Sequence, residues 1–273
     1  NHISLHGTAK DYLFLAPIVI ICSKLFHKKT SLRKFAGSFY EIFTKSNYLE
    51  KIVYTWSLKN SDYIFFETKF LVAKFKSFNS NTFWWPNSRP KTNLLVSENY
   101  NKKFVFISQV KKTKGICQFI DAALTLDTSF VFDVYGPILD NEVELKISEN
   151  LNITYRGVIN PSEVINTLLK YNVLVLPTYH DGEGYPGVIL EAFSIGMPVI
   201  STKWNSIPEI VHHNENGILV PIKDFESLKN EILNFNQNKY NKLRINAISS
   251  FDKFDSELVN YNFLKKINFF EKC

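Results

Sequence analysis

Val173-Leu-Val-Leu-Pro-Thr178, followed after Tyr179 by His180-Asp-Gly-Glu-Gly-Tyr-Pro-Gly-Val-Ile-Leu-Glu191, is the stretch from which the fold is read. A continuous apolar run of strand length gives way to a glycine-rich loop, and Pro186 stands where a helix can begin, its missing N–H costing nothing in a first turn. The same alternation recurs on both sides. FVFISQ (104–109), SFVFDVYG (129–136), PVIST (198–202) and GILVP (217–221) are apolar strand-length runs, each followed by a helix pattern. Strands apolar on both faces and separated by helices predict a parallel sheet covered on both sides, a doubly wound α/β domain over about 100–254. Gly196 is placed to stop one helix, Pro198 to open the next strand, and Ser206-Ile-Pro-Glu209 reads as a capping box opening another helix.

Residues 1–90 are read as an incomplete second α/β domain. Helix-like stretches cover 12–27, 39–59 and 67–77, with one clear strand at Tyr63–Phe66. The prolines and turn formers of Trp84-Trp85-Pro86-Asn87-Ser88-Arg89-Pro90, with the polar segment to Asn101, mark the boundary. The chain opens on Asn1 and runs into an apolar segment without a polar leader, the pattern expected of a sequence that begins mid-domain. A final segment, 255–273, has Leu258, Tyr261, Leu264, Ile267 and Phe270 at helical spacing, an apolar stripe expected to pack on a neighbour.

Composition narrows the function. The apolar fraction of 45% over 273 residues is that of a globular chain, not a disordered one. The apolar run Tyr12–Cys22 contains Pro17 and falls short of the roughly 20 residues a membrane span needs, so a buried helix is expected there. Cys22, Cys117 and Cys273 stand far apart, without metal-ligand or disulfide spacing, as suits a reducing cytoplasm. Residues 1–100 carry 14 Lys/Arg against 6 Asp/Glu, a balance of +8, whereas 101–273 carry 18 against 20, a balance of −2. The basic half, interleaved with Phe26, Phe35, Phe39, Tyr40, Phe43 and Tyr48, suits a lipid headgroup surface as well as nucleic acid, or is simply a solvated basic face.

The 180–191 loop carries the chemistry. Ligands of open α/β sheets bind beyond the carboxyl ends of the strands. Gly182, Gly184 and Gly187 let backbone N–H groups approach a ligand closely, and the helix N-terminus after Pro186 favours an anion. Glu183 and Glu191 bring two carboxylates to that place. Beside a phosphate they make sense as acceptors for hydroxyls, those of a sugar ring and of a ribose.

The pair Glu183 and Glu191, with seven residues between them, resembles the paired-glutamate motif of glycosyltransferase family 4, retaining enzymes of the GT-B fold built from two Rossmann-like doubly wound domains. LPT, GEGYPGVILEAFSIGMPVIST, PEIV (208–211) and NGILV (216–220) follow that family's order over some fifty residues. FISQVKKTKGICQFIDAAL (106–124) is similar to its diphosphate-holding strand, loop and helix. Lys114-Gly115 matches the lysine position there, while Gln109 stands where an arginine is expected, removing a bidentate phosphate fork. Lys111 or Lys112 is the candidate to replace that charge, against the plainer reading of a solvated loop. VYGP (134–137) and YRGVIN (155–160) resemble the segments of the nucleotide-base pocket, and SLHGT (4–8) resembles a loop that places a histidine near the donor sugar, here His6. Lys10, Arg33 and Gly37 are candidates to line the acceptor side, with no local pattern that requires it.

The resemblance implies a cytoplasmic transferase, peripheral on the inner face of the membrane, moving a sugar from a nucleotide-sugar to a glycan or lipid-linked acceptor in bacterial surface polysaccharide synthesis. It implies no metal, no cofactor and no nucleic acid. Glu183, Lys114 and His6 would serve catalysis, and Gln109, Gly184, Tyr185, Pro186, Gly187 and Glu191 would hold the donor. The domains would be an acceptor side at 1–90, a nucleotide-sugar side at 100–254 and a helix at 255–273 returning to the first. The rival readings are another GT-B enzyme, such as a sugar-nucleotide epimerase or a phosphorylase, and an inactive nucleotide-sugar-binding fragment.

Overall fold

The structure, a computed structural model, describes residues 2–148 and 152–269. It divides into two compact units. The first holds residues 1–87, 181–185 and 257–273, and the second 88–180 and 186–256.

The first unit runs β1 (His2–Gly7), α1 (Ala9–Leu25), β2 (Lys29–Lys34), α2 (Phe39–Lys45), α3 (Tyr48–Asn60), β3 (Tyr63–Phe66), α4 (Lys69–Phe75) and β4 (Thr82–Trp84). The strands form one parallel sheet in the order β1-β2-β3-β4, with Gly7, Lys34, Phe66 and Trp84 in register at its carboxyl edge. Only β3 is legible in the sequence. β2 reads Lys-Thr-Ser-Leu-Arg-Lys, too polar to announce a buried strand, yet Thr30, Ser31, Leu32 and Lys34 are all buried there. Two of its buried residues donate to groups far off in sequence, Thr30 N–H to Asp62 Oδ2 at 2.8 Å and Ser31 Oγ to Ser4 Oγ at 2.8 Å. Ser4–Gly7 lies in β1, so the expected loop SLHGT is a strand, and His6 is an edge-strand residue. The expected 39–59 helix is two, because Asn47 and Glu50 form a capping box that starts α3 afresh.

α1 is capped by the Thr8–Asp11 pair and carries Pro17 within it. It is not the buried helix expected from its apolar run. One face, Tyr12, Ala16 and Ile20, is fully buried, while Phe14, Leu15, Ile18, Ile21 and Leu25 are exposed. Phe39 centres the unit's core, its ring 5.4 Å from those of Tyr12 and Tyr54 and 5.0 Å from Phe75.

The second unit runs β5 (Lys103–Ile107), α5 (Ile116–Leu124), β6 (Val131–Tyr135), α6 (Asn141–Ser148), β7 (Ile153–Tyr155), α7 (Val164–Leu168), β8 (Val173–Leu176), α8 (Gly187–Ser194), β9 (Val199–Thr202), β10 (Gly217–Val220), α9 (Phe225–Leu233) and α10 (Gln237–Phe251). Its parallel sheet has the order β10-β9-β8-β5-β6-β7, the doubly wound α/β arrangement expected, with β7 added. β8, β9 and β10 are wholly buried, which is why they read as unbroken apolar runs. Gly196 takes a positive φ of 72° just past α8 and ends it, as expected. Ser206–Glu209 opens no α-helix. It makes one 3-10 turn, Ile207–Glu209, without a side-chain cap.

Helix α11 (Ser256–Lys266) falls, from Glu257 on, in the first unit. Its packed face is Val259 and Phe263, with Ile267 beyond, against Phe65 and Trp85, and the Phe263 ring stacks on Trp85 at 3.8 Å. The expected stripe is therefore displaced. Leu258 and Tyr261 are exposed, and Phe270 lies outside the described residues.

Candidate functional site

In the second unit the loops beyond β5, β6, β7 and β8 carry part of the expected donor side. The Lys114-Gly115 turn is seated on the segment that leaves β8: Tyr179 N–H donates to Thr113 O at 2.8 Å and Thr178 Oγ1 to the same oxygen at 3.3 Å. Gly115 has φ +80°, and a Cβ there would lie 2.1 Å from Pro177 O, so only glycine permits the turn. The two segments read as a base pocket meet each other. Gly136 N–H donates to Gly157 O at 3.0 Å, Arg156 N–H to Val134 O at 2.9 Å, and Tyr155 Oη to Gly136 O at 2.9 Å. The buried Asp133 accepts from Arg156 Nε at 2.9 Å and from Tyr171 Oη, an anchor for this backbone with no signal in the local sequence pattern.

Gln109 is exposed. Lys112 is no spare cation for the missing arginine, since it pairs with Glu142 at the start of α6. Pro186 is buried at the N-cap of α8 and Gly187 is the first helical residue. Here the structure adds a residue that sequence reasoning missed. Arg89 donates from Nε to Glu191 Oε1 at 2.6 Å, and a Cβ on Gly187 would lie 1.8 Å from Arg89 Nη2. Arg89 is fixed from behind, its N–H on Phe254 O at 3.1 Å and its carbonyl accepting from Ser256 N–H at 2.9 Å. The sequence signal was faint: one arginine within a proline-rich stretch read as a boundary.

Glu183, Gly184 and Tyr185 group with the first unit, on the carboxyl edge of its sheet. Glu183 and Tyr185 are buried. Tyr185 N–H donates to Glu67 Oε1 at 2.6 Å, and Tyr185 O accepts from Asn87 Nδ2 at 3.0 Å. On the same edge Arg33 lies 3.9 Å over the Trp85 ring and donates to Pro86 O at 3.2 Å. Burial lowers its pKa to about 10, and lowers that of the buried Lys34 to about 8 against the opposing pull of Glu67 and Asp11. His6 sits edge-on to Trp85 at 5.3 Å, its Nε2 2.9 Å from Ser4 Oγ. Burial first, then the Arg33 charge, lowers its pKa, favouring the neutral ring. Among the described residues no cluster of His, Cys, Asp and Glu has the arrangement to hold a metal, and no helix is long and apolar enough to cross a membrane.

Two parallel α/β units of this kind are the architecture of GT-B glycosyltransferases. The family described as "Glycosyl transferases group 1" matches residues 101–238, just over half of the chain, and the chain belongs to that family. The amylovoran biosynthesis glycosyltransferase AmsK of Erwinia amylovora is 37% identical over 82 residues, 28% of this chain and 20% of its own. An Escherichia coli protein named UDP-Gal:alpha-D-GlcNAc-diphosphoundecaprenol alpha-1,3-galactosyltransferase is 25% identical over 175 residues, 60% of this chain and 43% of its own. The chain thus spans from a fifth to under half of the length of these relatives. In fold it is similar to Anabaena HepE in complex with UDP, with TM-score 0.81 and 16% identity over 97% of this chain and 78% of that one. It is likewise similar to sucrose-phosphate synthase of Thermosynechococcus elongatus, with TM-score 0.78 and 17% identity over 98% and 74%.

Proposed function

We propose that the chain is a retaining glycosyltransferase of family 4 that moves a sugar from a nucleotide-sugar to a glycan or lipid-linked acceptor in surface polysaccharide assembly. The observation that carries this reading is the Lys114-Gly115 turn seated on the end of β8, in the segment that leads to Glu183 and to the Glu191 helix. Lys114 and the N-terminus of α8 stabilise the departing diphosphate, Glu191 takes the ribose hydroxyls, and Glu183 orients the sugar. His6, kept neutral, serves the sugar from the acceptor side. The bond from the anomeric carbon to the diphosphate oxygen breaks as the bond to the acceptor oxygen forms on the same face. The acceptor's proton passes to the leaving diphosphate, so no enzymic nucleophile is needed. HepE was crystallised with UDP, and that makes UDP-sugars the first donors to try.

A membrane surface is the proposed setting. α1 and α3 present Phe14, Ile18, Ile21, Leu49, Ile52 and Trp56 to solvent, with Lys24, Lys51 and Lys59 among them, the pairing of apolar side chains and cations that an anionic lipid surface binds. Incubation of the purified chain with a panel of nucleotide-sugars, scored by release of the nucleoside diphosphate, tests the enzymic reading. Release from one or a few donors is expected, and release from none, with no binding of any nucleoside diphosphate, contradicts it.

A further inference from the structure

Glu67 follows the buried strand β3 and is itself only 7% exposed. A carboxylate in such a place is costly unless its oxygens are satisfied, and an apolar residue would complete the Ile64-Phe65-Phe66 run at lower cost. Its two oxygens are divided between two loops. Oε2 accepts from Ala36 N–H at 3.0 Å, and Oε1 accepts from Tyr185 N–H at 2.6 Å. Glycine permits both close approaches here: a Cβ on Gly184 would lie 2.5 Å from Glu67 Oε1, and one on Gly37 would lie 2.4 Å from Glu183 O. The backbone on either side of Glu183 is therefore gripped by Gly37 and by the Glu67 carboxylate. The charge needed there also fits its surroundings, for Arg33 and Lys34 both feel the Glu67 carboxylate.

We propose that Glu67 is the positioning residue for Glu183, its carboxylate fixing the 183–185 backbone so that the Glu183 side chain is held in the orientation that receives the donor sugar. The assignment rests on the reading of Glu183 as the sugar-orienting residue. Glu67 touches no reacting atom. It acts through the Tyr185 N–H, and the bond to Ala36 ties the 183–185 segment to the loop after β2.

The test is a double-variant cycle with UDP and UDP-glucose as calorimetric probes, joined to residue-resolved amide exchange over the whole chain. Glu67→Ala is expected to weaken UDP-glucose at least tenfold and UDP less than twofold, as Glu183→Ala does, and the double variant should be no weaker than Glu183→Ala. Glu67→Gln, which keeps one accepting oxygen and the volume, should recover part of the loss and guards against misfolding of the alanine variant. Exchange at Tyr185 and Ala36 should quicken at least tenfold in Glu67→Ala, with the sheet amides unchanged. Additive losses, equal losses for both probes, or unaltered exchange at Tyr185 would overturn the proposal. If the wild type binds neither probe, the donor-site reading fails in this form, and the role of Glu67 then stands or falls on the exchange at Tyr185.

Discussion

Arg89 and Glu191, 102 positions apart in sequence, are joined by a 2.6 Å hydrogen bond from Nε to Oε1. Both side chains are largely shielded, and Gly187, the first residue of α8, lies against the Arg89 guanidinium. Removing the guanidinium leaves the Glu191 carboxylate without its cation. Arg89→Ala should lower the unfolding free energy by about 1–2 kcal/mol and loosen Glu191, with a measurable loss of nucleoside diphosphate affinity. Urea unfolding and calorimetry check the two arms. Wild-type values in both would make the pair an incidental surface contact.

Gly115→Ala should be more damaging than Lys114→Gln. The alanine would have to hold φ near +80° with its Cβ against Pro177 O, so the turn must move. Strain of this kind costs about 1–3 kcal/mol. The melting temperature is expected to drop in Gly115→Ala alone, and nucleotide affinity in both variants. A Gly115→Ala protein with the stability of the wild type would show that the turn is not held as described.

Lys34 gives the fold a pH signature. Burial depresses its pKa to about 8 in the folded chain, below the value near 10.4 of an unfolded lysine. Between these values the unfolded chain holds more protons, so this residue makes stability rise as pH rises from 8 to 10. Below 8 both states are protonated and the burial penalty is constant. The stability deficit of wild type relative to Lys34→Met should shrink by on the order of 1–3 kcal/mol across that window. A difference that stays flat from pH 8 to 10 would contradict the depressed pKa.

The lipid-surface proposal is checked by sedimentation with vesicles containing phosphatidylglycerol. Phe14→Ser combined with Ile18→Ser removes two exposed apolar side chains from α1 without touching its buried face. Co-sedimentation should fall several-fold, and raised salt should weaken what remains. Equal sedimentation of variant and wild type would remove α1 from the contact.

The second unit was legible because its strands are buried on both faces: VLVLPT, PVIST and GILVP announce themselves by composition alone. β7, three residues long with Thr154 and Tyr155 exposed, did not. In the first unit β2 is held by hydrogen bonds that Thr30 N–H and Ser31 Oγ donate to Asp62 and Ser4, and neither partner is near it in sequence. α1 misled for the opposite reason, since an apolar run does not say how many of its faces are covered. Glu183, Glu191 and Lys114 were singled out as candidates by local pattern. Arg89 and Glu67 were not, because each matters only through a residue about a hundred positions away.

The proposed division of labour, with Glu191 on the ribose and Glu183 on the sugar, is tested most directly by titration of UDP into Glu183→Ala and Glu191→Ala. Loss of a charge-assisted hydrogen bond to ribose is worth on the order of 1–3 kcal/mol, so Glu191→Ala should bind UDP about ten- to a hundredfold more weakly, with Glu191→Gln in between. Glu183→Ala should bind UDP as the wild type does and be impaired only toward the sugar-bearing donor. Equal loss of UDP affinity in both alanine variants, or loss in neither, would contradict the account.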